Sequence, residues 1–221
     1  MATELRLALL GTPQIWLDGK VVQGFRTIKT QALFYYLAVT RHVHARASLA
    51  TLLWGDMPER NAHVSLSKSL SNLRDLFPDH LEIDRNLVAL NQRARYWLDV
   101  TAFETGCASI LGTSTSPSSE TDLHRLRQVA DHYGGDFLAG FAAGNAPDFD
   151  LWQHAEAQRL RELAILAHDR LAAGYAARGE WGEAIASYRK ILTMEPWREE
   201  VHRQLMRMLV ASGQRSAALL Q

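Results

Sequence analysis

Between residues 171 and 221 the chain repeats itself at a step of 34 residues: Leu171 maps to Leu205, Tyr175 to Leu209, Gly179 to Gly213 and Ala184 to Ala218. A period of this length fits stacked helix pairs, in which the small alanine lets two helices approach and the glycine makes the turn between them. The first copy carries the fuller pattern, with Leu171, Tyr175, Ala184, Tyr188 and Pro196 in register. The second stops at Gln221 before its next large residue, so the chain reads as part of a longer array, C-terminally incomplete.

The remainder of the second half is also helical in pattern. Helices are expected over about 120–132, from Asp148 to Arg178, over 181–193 and 197–212, and from Gln214 onward, with Asp148 as the cap of the long one and Trp152 and Leu160 on its buried side. Residues 112–119 are small and aperiodic and predict the least ordered loop.

The first half has a different rhythm. "LRLALL", "QIWL" and "KVVQGF" read as short strands, and Asp18-Gly19 between apolar runs marks a hairpin, because both central turn positions need positive φ. This predicts a small antiparallel sheet. The period then becomes helical from Thr27 to about Thr40, again over about Ala47–Trp54, with Gly55 as a left-handed cap, and over about Asn61–Phe77. In this third helix Ala62, Leu66, Leu70, Leu73 and Phe77 fall within about 40° of one line, while Val64, Lys68, Ser71, Asn72 and Asp75 lie on the other side. Pro78 closes it. "LEI", the turn "DRN" and "LVAL" form a second hairpin, and "YWLDV" a further strand.

Composition narrows the function classes. No apolar run approaches the roughly 18 residues that span a bilayer, and the first residues lack a basic leader, which predicts a cytoplasmic protein with no membrane contact. The lone Cys107 excludes an internal disulfide. The formal charge of zero hides an asymmetry: residues 1–100 hold 12 Lys+Arg against 9 Asp+Glu, leaving 12 against 15 for the rest. The first half is therefore the better match for an acidic partner.

Taken in order, "LLGTPQIWLDGK", "ALFYYLA", "LATLLWGD", "SLSNLRDLF", "YWLDVTAFE" and "YGGDFLAGF" resemble the antibiotic-regulatory-protein class of bacterial transcriptional activators. The resemblance covers nearly the whole chain. It implies a mainly α fold with a small antiparallel β part: a winged helix-turn-helix of the response-regulator output type over residues 1–100, then a tetratricopeptide-like bacterial transcriptional activator domain over 101–221. It further implies that the helix at 61–77 enters the major groove of double-stranded DNA, that the hairpin at 81–90 is the wing, and that the helix near 46–54 supports both.

On that reading Lys68 and Asn72 donate to base edges, Ser65, Ser67 and Ser71 serve phosphates or bases, Arg74 reaches a phosphate from the helix flank, and Arg85 does so from the wing tip. Response-regulator output domains tend to carry several basic residues on this helix. Here the exposed face holds one lysine, several serines and Asp75, which predicts weak binding or a need for dimerisation. Further expected partners are RNA polymerase, a second copy of the chain and a downstream domain of the same protein.

Blander roles compete for each residue. Lys68 could be merely a solubilising charge, Arg74 a partner for Asp75 or for a carboxylate beneath the helix, and Arg85 an ordinary hairpin tip. Trp54 is read as core. His42 and His44 would share a face of a strand, but no third ligand stands at a helpful spacing, so no metal is expected. Asp148 and Asp150 lack a neighbouring base or nucleophile, and no phosphate-binding glycine loop occurs, so neither catalysis nor a cofactor is expected. The competing function is an interaction module that does not bind DNA and regulates a larger signalling ATPase or nucleotide cyclase.

Overall fold

The computed structural model describes residues 3–111 and 119–221; the loop expected at 112–119, apart from Ser119, lies outside them. The chain divides into two compact units, Met1–Thr101 with Gly135–Ala157, and Ala102–Gly134 with Gln158–Gln221. The sequence reading assigns 101–221 to one domain without interruption. The structure instead places Gly135–Ala157 with the first unit, because this segment bonds to the first strand region: Leu138 N–H donates to Leu9 O at 2.8 Å and Gly11 N–H to Asp136 O at 3.1 Å.

In the first unit β1 (Leu5–Ala8), β2 (Gln14–Leu17) and β3 (Lys20–Val21) form the expected antiparallel run, and β7 (Tyr96–Leu98) adds to β1 in parallel. Asp18 and Gly19 take φ of 50° and 76°, the pair of positive values that the two-residue hairpin demands. Helix α1 (Ile28–Thr40) is capped by the Thr27 hydroxyl, which accepts from Thr30 N–H. Strand β4 (His44–Ala45), α2 (Arg46–Trp54), α3 (Glu59–Leu76), β5 (Leu81–Ile83) and β6 (Leu87–Leu90) follow, with the three strands in the order β4-β6-β5. Phe34 of α1 stacks on Phe77 at 4.1 Å between ring centroids and 3° between planes, both fully buried, so the apolar stripe of α3 is seated on α1.

Gly55 is not the left-handed cap that the sequence suggests: its φ is −62°. It is needed for a different reason, since a Cβ there would stand 2.7 Å from the Thr51 carbonyl oxygen. The chain turns instead through a bond from Met57 N–H to Trp54 O.

In the second unit lie the greater part of α4 (Asp99–Leu111), α5 (Glu120–Ala130), the later part of α6 (Pro147–Ala177), α7 (Trp181–Met194), α8 (Glu199–Ala211) and α9 (Arg215–Leu220). Asp148 is not the cap of α6. Pro147 takes the first helical position, where its missing N–H costs nothing, and Asp148 follows within the first turn near the positive helix end. The 34-residue period is visible in the backbone: Gly179 and Gly213 have φ of 74° and 83°, Glu180 N–H donates to Tyr175 O, and Gln214 N–H donates to Leu209 O one period later. The mapped pairs Leu171/Leu205, Tyr175/Leu209 and Ala184/Ala218 are all buried.

Candidate nucleic-acid interface

Helix α3 meets the preceding helix through the short link Gly55–Pro58 and is held from both sides, by α1 and by α2. Two neighbours leave less of its circumference free than one apolar stripe suggests. Besides Ala62, Leu66, Leu70 and Leu73, the polar residues Ser69 and Asn72 are buried. Thr30 Oγ1 donates to Ser69 Oγ at 2.9 Å, tying α1 to α3.

Asn72 is therefore a correction to the sequence reading. It is 4% exposed. Its Oδ1 accepts from Arg26 N–H at 2.9 Å and its Nδ2 donates to Gly24 O at 3.2 Å, so both ends of the amide are engaged by the segment that leads into α1. A side chain about 120° from the apolar line faces solvent only when nothing packs on that flank. Here Gly24–Arg26 does, and Asn72 has no path to a base.

The remaining candidates stand on the free arc. Lys68, Ser71, Ser67 and Arg74 are exposed, and Ser65 is half-buried. Arg60, His63, Val64, Ser67, Lys68 and Ser71 line a shallow, open hollow of about 520 Å³. From Arg60 to Ser71 the face runs roughly 16 Å along the helix. Arg74 is not the partner of Asp75, whose ion pair is with Arg26 at 3.8 Å, both well exposed. Arg85 sits exposed at the tip of the β5–β6 hairpin, in a turn closed by Asp84 N–H donating to Leu87 O at 2.9 Å.

Two basic residues of this surface escaped the sequence reading. Arg60 lies one turn before Val64 on the free arc. Arg46, the first residue of α2, donates from Nη2 to Ser67 Oγ at 2.9 Å and from Nη1 to Asp84 O at 3.4 Å, while its own N–H donates to Asn86 O at 2.9 Å. It thus fixes the wing turn beside the exposed side of α3. The surface holds Arg46 and Arg60 in addition to the expected Lys68, Arg74 and Arg85. Arg46 opens α2, so no helical wheel of α3 could bring it into view, whereas Arg60 lies on α3 just before the start expected at Asn61.

His42 and His44 do share a face, with ring centroids 5.0 Å apart, and burial together with the His42 charge lowers the His44 pKa. Among the described residues no group of three or more His, Cys, Asp or Glu could hold a metal, and no helix is long and apolar enough to cross a membrane.

The family model described as "Bacterial transcriptional activator domain" matches residues 98–221. The transcriptional regulatory protein EmbR of Mycobacterium tuberculosis, and likewise that of Mycobacterium bovis, is 27% identical over 219 residues, 98% of this chain and 56% of the relative. A solved structure of Mycobacterium tuberculosis EmbR in complex with a low-affinity phosphopeptide superposes with a TM-score of 0.73 at 25% identity, covering 98% of this chain and 57% of that one. The chain therefore spans a little over half the length of these relatives.

Proposed function

The chain belongs to the family of the bacterial transcriptional activator domain, and from that premise we propose that its first unit binds double-stranded DNA, with α3 in the major groove and the β5–β6 wing on the adjoining backbone. The family is one of transcriptional regulators rather than enzymes, and the relatives that match over both units carry the name of transcriptional regulatory proteins.

The observation that carries the proposal is the free arc of α3. A helix held by two neighbours presents Arg60, Lys68, Ser67 and Ser71 on one side, and Arg46 locks a basic wing turn next to it. The major groove, about 12 Å wide, admits a single helix, and the wing then falls on phosphates. Lys68 donates to a base edge, while Arg85 and Arg74 contact phosphates. With Arg26 drawing off Asp75, the arc is less acidic than the sequence suggests, though still modestly charged, so binding is strengthened by pairing two copies on adjacent half-sites. The helical second unit serves partners, a second copy or RNA polymerase, and the α6–α7–α8 groove lined by Ile165, Asp169, Tyr188 and Gln204 offers it a surface for them.

Fluorescence polarisation with duplex DNA at low salt tests the reading. Lys68→Ala should cost roughly 1–3 kcal/mol on the preferred site and little on unrelated duplexes. Arg85→Ala and Arg74→Ala should weaken all sequences alike, each lowering the salt slope by about 1. Absence of any binding at micromolar protein, or indifference to all three substitutions, refutes DNA binding by this face and leaves the chain as an interaction module.

A further inference from the structure

The centre of the free arc of α3 is occupied by an apolar residue. At 100° per residue, Arg60, Lys68 and Ser71 all lie within about 40° of Val64. Val64 is 49% exposed, in the middle of an otherwise polar hollow. A single exposed hydrophobic is ordinary on a protein surface, and exposure alone means nothing. Position gives it meaning. Valine is a mediocre helix former, and here its side chain supports no core; alanine or lysine would favour the helix more.

The major groove offers hydrogen-bonding edges at every base pair but only one protruding apolar group, the C5-methyl of thymine. Valine has one side-chain torsion and two γ-methyls at fixed height, so burying it against such a group sacrifices little rotamer freedom. Resting on the reading of α3 as a groove-docked helix, we infer that Val64 is a specificity-determining residue that selects a thymine by contact of its γ-methyls with the C5-methyl group. Arg60 and Lys68, one turn to either side and thus roughly 6 Å along the helix, place hydrogen-bond donors about two base steps from that thymine.

The test alters the DNA as well as the protein. A duplex is selected by the full chain from a random library, and each thymine is then replaced by deoxyuridine, which removes the methyl and leaves every hydrogen-bonding group in place. Wild type should lose about 3- to 5-fold in affinity at one thymine in each half-site, the worth of one buried methyl. Val64→Ala should bind the thymine and deoxyuridine duplexes equally, while its affinity for an unselected duplex at low salt stays at the wild-type value. Val64→Thr, which keeps one γ-methyl and the valine shape, should retain part of the discrimination; it substitutes for Val64→Ala if the alanine variant does not fold. Failure to enrich any sequence overturns the DNA reading and this inference with it. A selected duplex that tolerates deoxyuridine at every position, or whose deoxyuridine penalty persists in Val64→Ala, overturns this inference alone.

Discussion

Asn72→Ala separates a structural amide from a base-reading one. In the folded chain the amide accepts from Arg26 N–H and donates to Gly24 O, and the residue is 4% exposed. Truncation leaves one donor and one acceptor of the segment before α1 without their partner. Residues Gly24 and Arg26 are themselves exposed, so water re-enters at part of the cost, and each bond is worth about 1 kcal/mol rather than the full penalty of a buried orphan. The sum is about 2 kcal/mol. With an m-value of about 2 kcal/mol/M, the urea midpoint of the first unit falls by about 1 M. The transition is followed by far-UV circular dichroism together with hydrogen exchange of α1 amides, so that unfolding of the second unit is not mistaken for it. Lys68→Ala, on the same helix but fully on the free arc, should move the midpoint by less than about 0.5 kcal/mol equivalent. An Asn72→Ala protein with an unchanged midpoint and an affinity loss confined to adenine-containing duplexes would refute the reasoning and restore Asn72 to the DNA face.

Three further outcomes follow from packing and burial. Gly106→Ala puts a Cβ 2.5 and 2.8 Å from the two γ-methyls of Val129 and should destabilise the second unit by about 1–3 kcal/mol in thermal unfolding, with Val129→Ala restoring part of the loss. Burial, aided by the charge of Lys190 and opposed by that of Asp131, holds the His168 imidazole down at about 4, so the unfolded chain binds its proton first; stability should fall as pH drops from about 6.5 to about 4, by at most about 3 kcal/mol, and His168→Gln should flatten that limb. Burial and Glu104 push the Cys107 thiol up to about 12, so iodoacetamide at neutral pH should label it only at the rate of unfolding, a result overturned by rapid labelling of the native chain.

The parts of the fold that sequence made legible are those in which one local rule decides. Asp18-Gly19 could only be a tight hairpin turn, and Gly179 and Gly213 could only be left-handed turns one period apart; all four adopt those conformations. The helices from Glu120 onward fall within a few residues of their expected limits, whereas the sequence pattern sets no limits for the helix over Asp99–Leu111. What sequence could not show is non-local. The parallel pairing of β7 with β1 joins residues about ninety positions apart, and the return of Gly135–Ala157 to the first unit depends on backbone bonds to Leu9 and Gly11 that no periodicity encodes. Gly55 and Asp148 show the subtler failure. Each has a residue type suited to a cap, yet the first is fixed by the proximity of the Thr51 carbonyl and the second is displaced by Pro147, which is better suited to begin a helix.

The same distinction decides what could be known of the proposed DNA face. A helical wheel ranks residues by angle from one apolar line and so assumes one packing partner. Helix α3 has two, and beside them the Gly24–Arg26 segment; α1 covers Ser69 and that segment covers Asn72, while Ser71 and Lys68 stay exposed. The exposed arc is therefore narrower than the polar arc, and its centre shifts to Val64, a residue that composition alone would leave unremarked. The basic charge moves in the opposite sense. Arg46 belongs to another helix and reaches the surface of α3 only through Ser67 and the wing turn, so the modest basic charge of α3 read in isolation is supplemented by its neighbours. On the proposed reading the DNA-facing surface is assembled from three elements and is not weighed by the charges of one, so DNA affinity should track Arg46 and Arg85 as closely as Lys68.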